Sequence, residues 1–360
     1  MTLPRLRPDI DDLPSYKAGQ RPAPREDIVT YKISSNENPY PPLPGVMEAI
    51  MKAAADIHRY PDPFSRNLIA ALAERFDVPE ECIALGTGSV AICGQIVTVA
   101  AGPGDEVLYA WRSFESYPIV THIAGATSVQ VPLLPDERHD LEGMLAAITE
   151  RTRVIFVCTP NNPTGQVVTT TEIVGFLERV PRDVIVVMDE AYREFSAHDD
   201  VPDGIELYRA YPNVVALRTF SKAYGLAALR IGFAVAHPVV AAALRKTAIP
   251  FGVSTIAEEA AIASLAAEDQ LLARVGALVE ERDRVWSALR DQGWDIHRTE
   301  ANFVWLRLDD RTMDFVAACE EAGITIRPFP GEGVRITVAE TEANDRVIRV
   351  AQEFRQRALD

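Results

Sequence analysis

Val184-Ile-Val-Val-Met-Asp189-Glu-Ala-Tyr192 decides the fold. An unbroken branched apolar run reads as a strand buried on both faces, and a carboxylate stands where it ends. Working outward, runs of the same texture precede it at 82–85, 107–110, 128–131 and 154–158 and follow it at 214–217 and 231–236. Helical stretches alternate with these runs from about Val46 onward. That alternation predicts an α/β fold: a large domain with a mostly parallel central sheet flanked by helices.

After Pro250 the texture changes. Residues 254–292 read as one or two long helices rich in Ala, Leu and Glu. A strand at 302–308, a helix at 313–322, short strands at 325–327 and 333–338 and a last helix from Glu342 complete a smaller α+β C-terminal domain. Prolines crowd the segment from Pro4 to Pro44, which excludes a long helix or a central strand there. The expected organisation is an N-terminal arm over 1–45 that belongs with the small domain, a large domain over 46–249 and the small domain over 250–360. The hinge is expected near 249–253.

A length of 360 residues suits two domains. Lys plus Arg is 36 against 52 Asp plus Glu, a net charge of −16, which argues against nucleic-acid and anionic-membrane partners. The four cysteines form no CxxC pair and the six histidines show no metal-ligand spacing, so buried reduced thiols and no metal are expected. No charged start leads into an apolar core segment, and no 18-residue apolar run exists, so a cytoplasmic protein is expected.

Four motifs fall at or just beyond the ends of predicted strands, where open α/β sheets bind ligands. The first is Gly86-Thr-Gly88-Ser89-Val90-Ala91. It matches GxGxxA, but the dinucleotide fingerprint needs an acid at the end of the next strand, and Asp105 and Glu106 precede that strand. What survives is a glycine turn feeding a helix N-terminus, suited to a phosphate. The second, Thr159-Pro-Asn161-Asn162-Pro-Thr-Gly165, ends a buried strand in a polar turn, and Asn162 offers an amide donor and acceptor there. The third is Asp189 with Tyr192, a carboxylate whose burial needs a cation or a protonated base beside it. The fourth is Arg218-Thr219-Phe-Ser221-Lys222-Ala-Tyr-Gly225, followed by Arg230. A lysine beyond a buried strand titrates easily and forms Schiff bases, and an arginine neutralises a phosphate.

Each motif alone can be structural. Together they supply a lysine for an aldehyde, a carboxylate for a pyridinium nitrogen, an amide and a phenol for a ring oxygen, and a loop with an arginine for a phosphate. Pyridoxal 5′-phosphate carries all four groups.

The ordered set also resembles a known family. Ser34-Ser-Asn-Glu-Asn-Pro-Tyr40, Arg59-Tyr-Pro-Asp62, Asn161–Gly165, Asp189–Tyr192, Arg218–Leu226, Arg230-Ile-Gly-Phe233, Ala301-Asn-Phe303 and Arg335-Ile-Thr337 are similar to the fold-type I pyridoxal-phosphate aminotransferases, the aspartate aminotransferase-like fold, in the histidinol-phosphate branch. The resemblance implies that Lys222 is the Schiff-base lysine and proton shuttle, that Asp189 pairs with the pyridine nitrogen, and that Asn162 and Tyr192 meet the ring oxygen. It implies a phosphate cradle of Gly88, Ser89, Val90, Thr219, Ser221 and Arg230, with Phe114 over the ring. Arg335 is expected to hold a substrate carboxylate and Arg327 to be available to a substrate phosphate, with Tyr16, Asn38 and Tyr40 of the arm near the substrate. Tyr60 is expected to reach the cofactor phosphate of a neighbouring subunit, which makes the expected assembly a homodimer with shared active sites.

Three segments depart from the histidinol-phosphate pattern: Val90-Ala91 where that branch carries an acidic pair, Pro250-Phe-Gly252 in place of Pro-Tyr-Asn, and Trp111–Pro118. They resemble instead the aromatic amino acid (phenylalanine) aminotransferases of actinobacteria. The expected reaction moves an amino group between aromatic amino acids and 2-oxoglutarate or aryl 2-oxo acids. Histidinol phosphate is the alternative substrate, since Arg327 is present. A non-catalytic cofactor-binding regulatory module is a remote third reading, because no DNA-binding segment accompanies the fold.

Overall fold

The computed structural model describes residues 25–357 and, before them, 4, 5, 7, 10–13, 15 and 19. Each apolar run of the first half becomes a strand: β2 (Ile83–Gly86), β3 (Glu106–Trp111), β4 (Thr127–Pro132), β5 (Thr152–Cys158), β6 (Ile185–Asp189), β7 (Val214–Thr219) and β8 (Gly232–Val235). A two-residue strand, β1 (Tyr31–Lys32), precedes them. The seven form one sheet in the order β2-β8-β7-β6-β5-β3-β4. Neighbours from β7 to β4 run parallel; β8 is antiparallel to both β7 and β2. The central strands are buried along their length because helices cover both faces, which is why they read as unbroken apolar runs.

The register lines up the chemistry. Cys158 pairs with Asp189, and Asp189 with Leu217, so the carboxyl ends of β5, β6 and β7 stand side by side. The turns that follow carry Asn162, Tyr192 and Lys222 to one edge.

Among the helices, α1 (Pro44–Ala54) and α2 (Arg66–Phe76) pack against the helix Thr255–Ala266, whose Ala257, Ala260 and Ala261 share a core with Val46, Leu68 and Leu72. Helix α3 (Ser89–Ala100) leaves the tip of β2, and α4 (Ser116–Ile123) follows β3.

A second sheet, β11 (Arg327–Phe329), β12 (Gly333–Thr337) and β9 (Phe303–Arg307), is antiparallel in the order β11-β12-β9. The strand expected at 325–327 is divided. Its first part, β10 (Ile324–Thr325), pairs in parallel with β1, and its second part enters the antiparallel sheet as β11. Ile326 between them is buried and turns the chain from one partner to the other. The arm is therefore built into the fold at Tyr31–Lys32, and Ile33 packs with Val304, Ile324 and Ile336. All four cysteines are buried and unbridged. No helix among the described residues is long and apolar enough to cross a membrane.

Candidate active site

A cavity of about 240 Å³ opens at the carboxyl edge of the large sheet. Ser89, Asn162, Asp189, Tyr192, Lys222 and Arg335 are among its lining residues. Val90, Phe114, Thr219, Ser221, Arg230 and Arg327 complete the expected set found there.

Lys222 lies in the turn after β7, and its Nζ donates to Ser35 O at 3.1 Å. Burial, and next the positive charge of Arg335, push its pKa down to about 7. An amine held there gives up its proton far more readily than an ordinary lysine. Asp189 closes β6. Its Oδ2 accepts from Tyr117 Oη at 2.6 Å and its Oδ1 from Ala191 N at 3.3 Å. Burial pushes this carboxyl up to about 6 despite those two donors. The acid and the base of the site are both held in surroundings that disfavour their charged forms, as expected where a charged ligand completes a set.

Tyr192 is buried, its ring edge-on to Phe303, and burial raises its phenol well above the ordinary value. Asn36 Nδ2 donates to the Tyr192 oxygen at 2.9 Å, which leaves the phenol proton for a second acceptor. Asn162 Oδ1 accepts from Arg335 Nη1 at 2.5 Å, and Arg335 Nη2 reaches Ser34 O at 2.9 Å. The residue expected at a ring oxygen and the residue expected at a substrate carboxylate thus orient each other.

At the other end, Gly88 caps α3 with φ +85°, and a Cβ there would collide with the Arg230 guanidinium. Gly232 in β8 is equally constrained: a Cβ would lie 2.7 Å from Ser89 N, so only glycine lets the loop backbone rest on the strand. Arg230 Nη1 donates to Ser221 Oγ at 3.3 Å. A helix N-terminus without a side-chain cap, two hydroxyls and a guanidinium form an anion cradle. Lysine, buried carboxylate, phenol, amide and anion cradle are the donor set that pyridoxal 5′-phosphate needs, so the residues fit it.

Some expected residues lie elsewhere. Tyr60 is 83% exposed, packs on Phe251 with the rings tilted and their centroids 4.7 Å apart, and is not among the cavity's lining residues. Asn38 does not line it either; its Nδ2 holds Ala223 O at 2.9 Å and so braces the turn that carries Lys222. Asn36, two residues earlier, is the asparagine of this turn that lines the cavity. Tyr40 is partly exposed beneath Arg274. Tyr16 lies outside the described residues. Sequence reasoning missed Tyr117, Asn36, Glu115 and Gly232. Only Gly232 carried a signal, a glycine opening a strand that abuts the phosphate loop.

The family model for aminotransferase class I and II matches residues 30–350. The chain belongs to this family. Its members depend on pyridoxal 5′-phosphate, and the chain is a transaminase acting on amino acid and 2-oxo acid substrates. An aromatic amino acid aminotransferase of Streptomyces coelicolor is 62% identical over 355 residues, 99% of each chain. One from Thermobifida fusca is 56% identical over 98% of each. Among solved structures, the histidinol-phosphate aminotransferase of Sinorhizobium meliloti in complex with pyridoxal-5′-phosphate superposes with a TM-score of 0.88 at 31% identity, covering 100% of this chain and 99% of that one.

Proposed function

We propose that this transaminase moves the amino group of aromatic amino acids. The observation that carries the reading is the agreement over full length with relatives named for that activity, supported by the ion pair that engages Arg327 inside the cavity. Bound pyridoxal 5′-phosphate supplies an electron sink for the carbanion left at the substrate Cα. The chain's residues do the rest. Lys222 Nζ, its pKa pushed down to about 7, would take the proton from the substrate Cα and deliver it to the cofactor carbon that keeps the amino group. Asp189, braced by Tyr117, would keep a proton on the pyridine nitrogen. Tyr192 and the Asn162 amide would donate toward the ring oxygen, while Ser89, Ser221 and Arg230 would anchor the phosphate. Arg335 takes the substrate carboxylate as a two-pronged donor.

A substrate panel tests this: phenylalanine, tyrosine, tryptophan and histidinol phosphate, each with 2-oxoglutarate. The value of kcat/KM for phenylalanine should exceed that for histidinol phosphate by at least about tenfold. The opposite ranking overturns the aromatic reading.

The assembly we propose is a homodimer with shared sites. Met51, Ile57, Tyr60, Phe64 and Ile249 are large apolar side chains left exposed, and a second copy is the occupant that would cover them. Mixing Tyr60→Phe chains with Lys222→Ala chains should restore part of the activity, and a fully active monomer would contradict the proposal.

A further inference from the structure

Arg327 and Arg335 sit opposite each other on β11 and β12, with their Cα atoms in register, and both line the cavity. They are held in different ways. Arg335 donates to two neutral oxygens, on Asn162 and Ser34. Arg327 Nη2 meets a carboxylate, Glu115 Oε2, at 2.6 Å. The Arg327 side chain is only 7% exposed, and its guanidinium also lies 5.5 Å from the Phe329 ring centroid. Glu115 is the residue just before α4, so it reaches across from the large sheet's side to the antiparallel sheet. The neighbouring arginine of the same loop is engaged as well: Arg112 Nε donates to Glu332 Oε2 at 2.9 Å.

We propose that Glu115 is a specificity-determining residue: it withholds the charge of Arg327 from the substrate, so that the cavity accepts a carboxylate and disfavours a phosphate ester. The inference deepens the aromatic reading and rests on it. An amino acid presents one negative charge beside its amine. A phosphate ester approaches two at neutral pH, since its second proton leaves near pH 6. The dianion needs a second cation beside Arg335, and Arg327, its partner in register across the two strands, already carries a carboxylate. Glu115 opposes that substrate twice, by engaging Arg327 and by repelling the incoming phosphate.

Glu115→Gln removes the charge and keeps the size. The readout is the ratio of kcat/KM for L-histidinol phosphate to that for L-phenylalanine, each with 2-oxoglutarate. The ratio should rise at least about tenfold, the scale of one added charge-assisted hydrogen bond. Glu115→Asp should hold the parent's ratio. Glu115→Gln with Arg327→Gln should lose the gain, because the gain runs through Arg327. Should the glutamine variant express poorly, Glu115→Ser removes the same charge and should shift the ratio in the same direction. A merely structural Glu115 would lower both values together, and an unmoved ratio in a parent that prefers phenylalanine overturns the proposal alone. A parent that prefers histidinol phosphate overturns the aromatic reading beneath it.

Discussion

Two clusters of charge lie at the ends of β6 and β7, a residue or a few apart in sequence, and their electrostatics are opposite. Around Arg218 the charges complete one another. Its Nε donates to Glu190 at 3.0 Å and its Nη2 to Asp203 at 2.8 Å, and Arg193 supports Asp203 from the other side at 2.9 Å. Although burial works against it, Glu190 and Asp203 hold the Arg218 guanidinium more firmly protonated than usual. Against its own burial, Arg218 and next Arg193 keep the Asp203 carboxyl below its ordinary value. The third carboxyl, Glu194, is pushed by burial up to about 7, so this surplus acid holds its charge less firmly than an ordinary glutamate. Around Lys222 the shifts run the other way, the amine down and the Asp189 carboxyl up. A self-sufficient cluster holds structure together, whereas one whose acid and base are both strained toward neutrality is built around a guest.

The comparison breaks first at Lys222. Lys222→Ala should lower transamination by at least about 10⁴-fold, since proton transfer by a placed base contributes 10²–10⁴ and covalent attachment adds to it. Thermal stability should not fall. Borohydride reduction of the parent followed by peptide mapping should place the pyridoxyl mass on Lys222; finding it on Lys246 would reverse the assignment. Asp189→Asn comes next, with about a thousandfold loss in kcat from the missing counter-charge. An active Asp189→Asn enzyme would move Asp189 into the structural class.

On the other side of the comparison, Arg218→Ala should cost about 3–5 kcal/mol of folding stability in urea titrations, because it takes the guanidinium from the buried Glu190 carboxylate and leaves Asp203 with Arg193 alone. Its refolded fraction should keep kcat within the parent's order of magnitude. A large loss of kcat with stability preserved would show that the two clusters are one machine.

The same contrast explains what could be read from the chain alone. Asp189, Lys222, Asn162 and the glycine loop announce themselves because each interrupts a strand or a helix start at a place where its chemistry has no local structural use. Tyr117 gives no such sign. It lies on α4, stacks on Phe156 with centroids 4.3 Å apart, and reads as a core aromatic until the register of β5 and β6 brings Asp189 within reach. The different settings of Asn36, in the cavity, and Asn38, outside it, have a similar origin. Both stand in one polar turn without periodicity, and the left-handed backbone at Asn36, φ 53°, turns its amide to Tyr192. Division of the strand near Ile326 was hidden because its first part pairs with β1, far upstream in the sequence, whereas its second part pairs with β12, the very next strand.

The smallest effect sharpens the comparison most directly, because it is read from the cofactor-free chain. Lys222 titrates at about 7 when folded against an ordinary 10.5. Between those values the unfolded chain binds the extra proton, so this lysine opposes folding fully below pH 7 and progressively less as pH climbs to 10.5. Asp189, at about 6 against 3.8, opposes folding with the other slope: its cost is absent below 3.8, grows to pH 6 and is constant above. From pH 7 upward, therefore, only the lysine of this pair contributes a slope. Lys222→Met should make the cofactor-free chain more stable than the parent at pH 7, and the difference should shrink steadily at pH 8, 9 and 10. Urea midpoints at those four pH values measure it. A difference that stays flat with pH would mean that Lys222 is solvated as an ordinary surface lysine is, and the site's electrostatic contrast with the Arg218 cluster would rest on Asp189 alone.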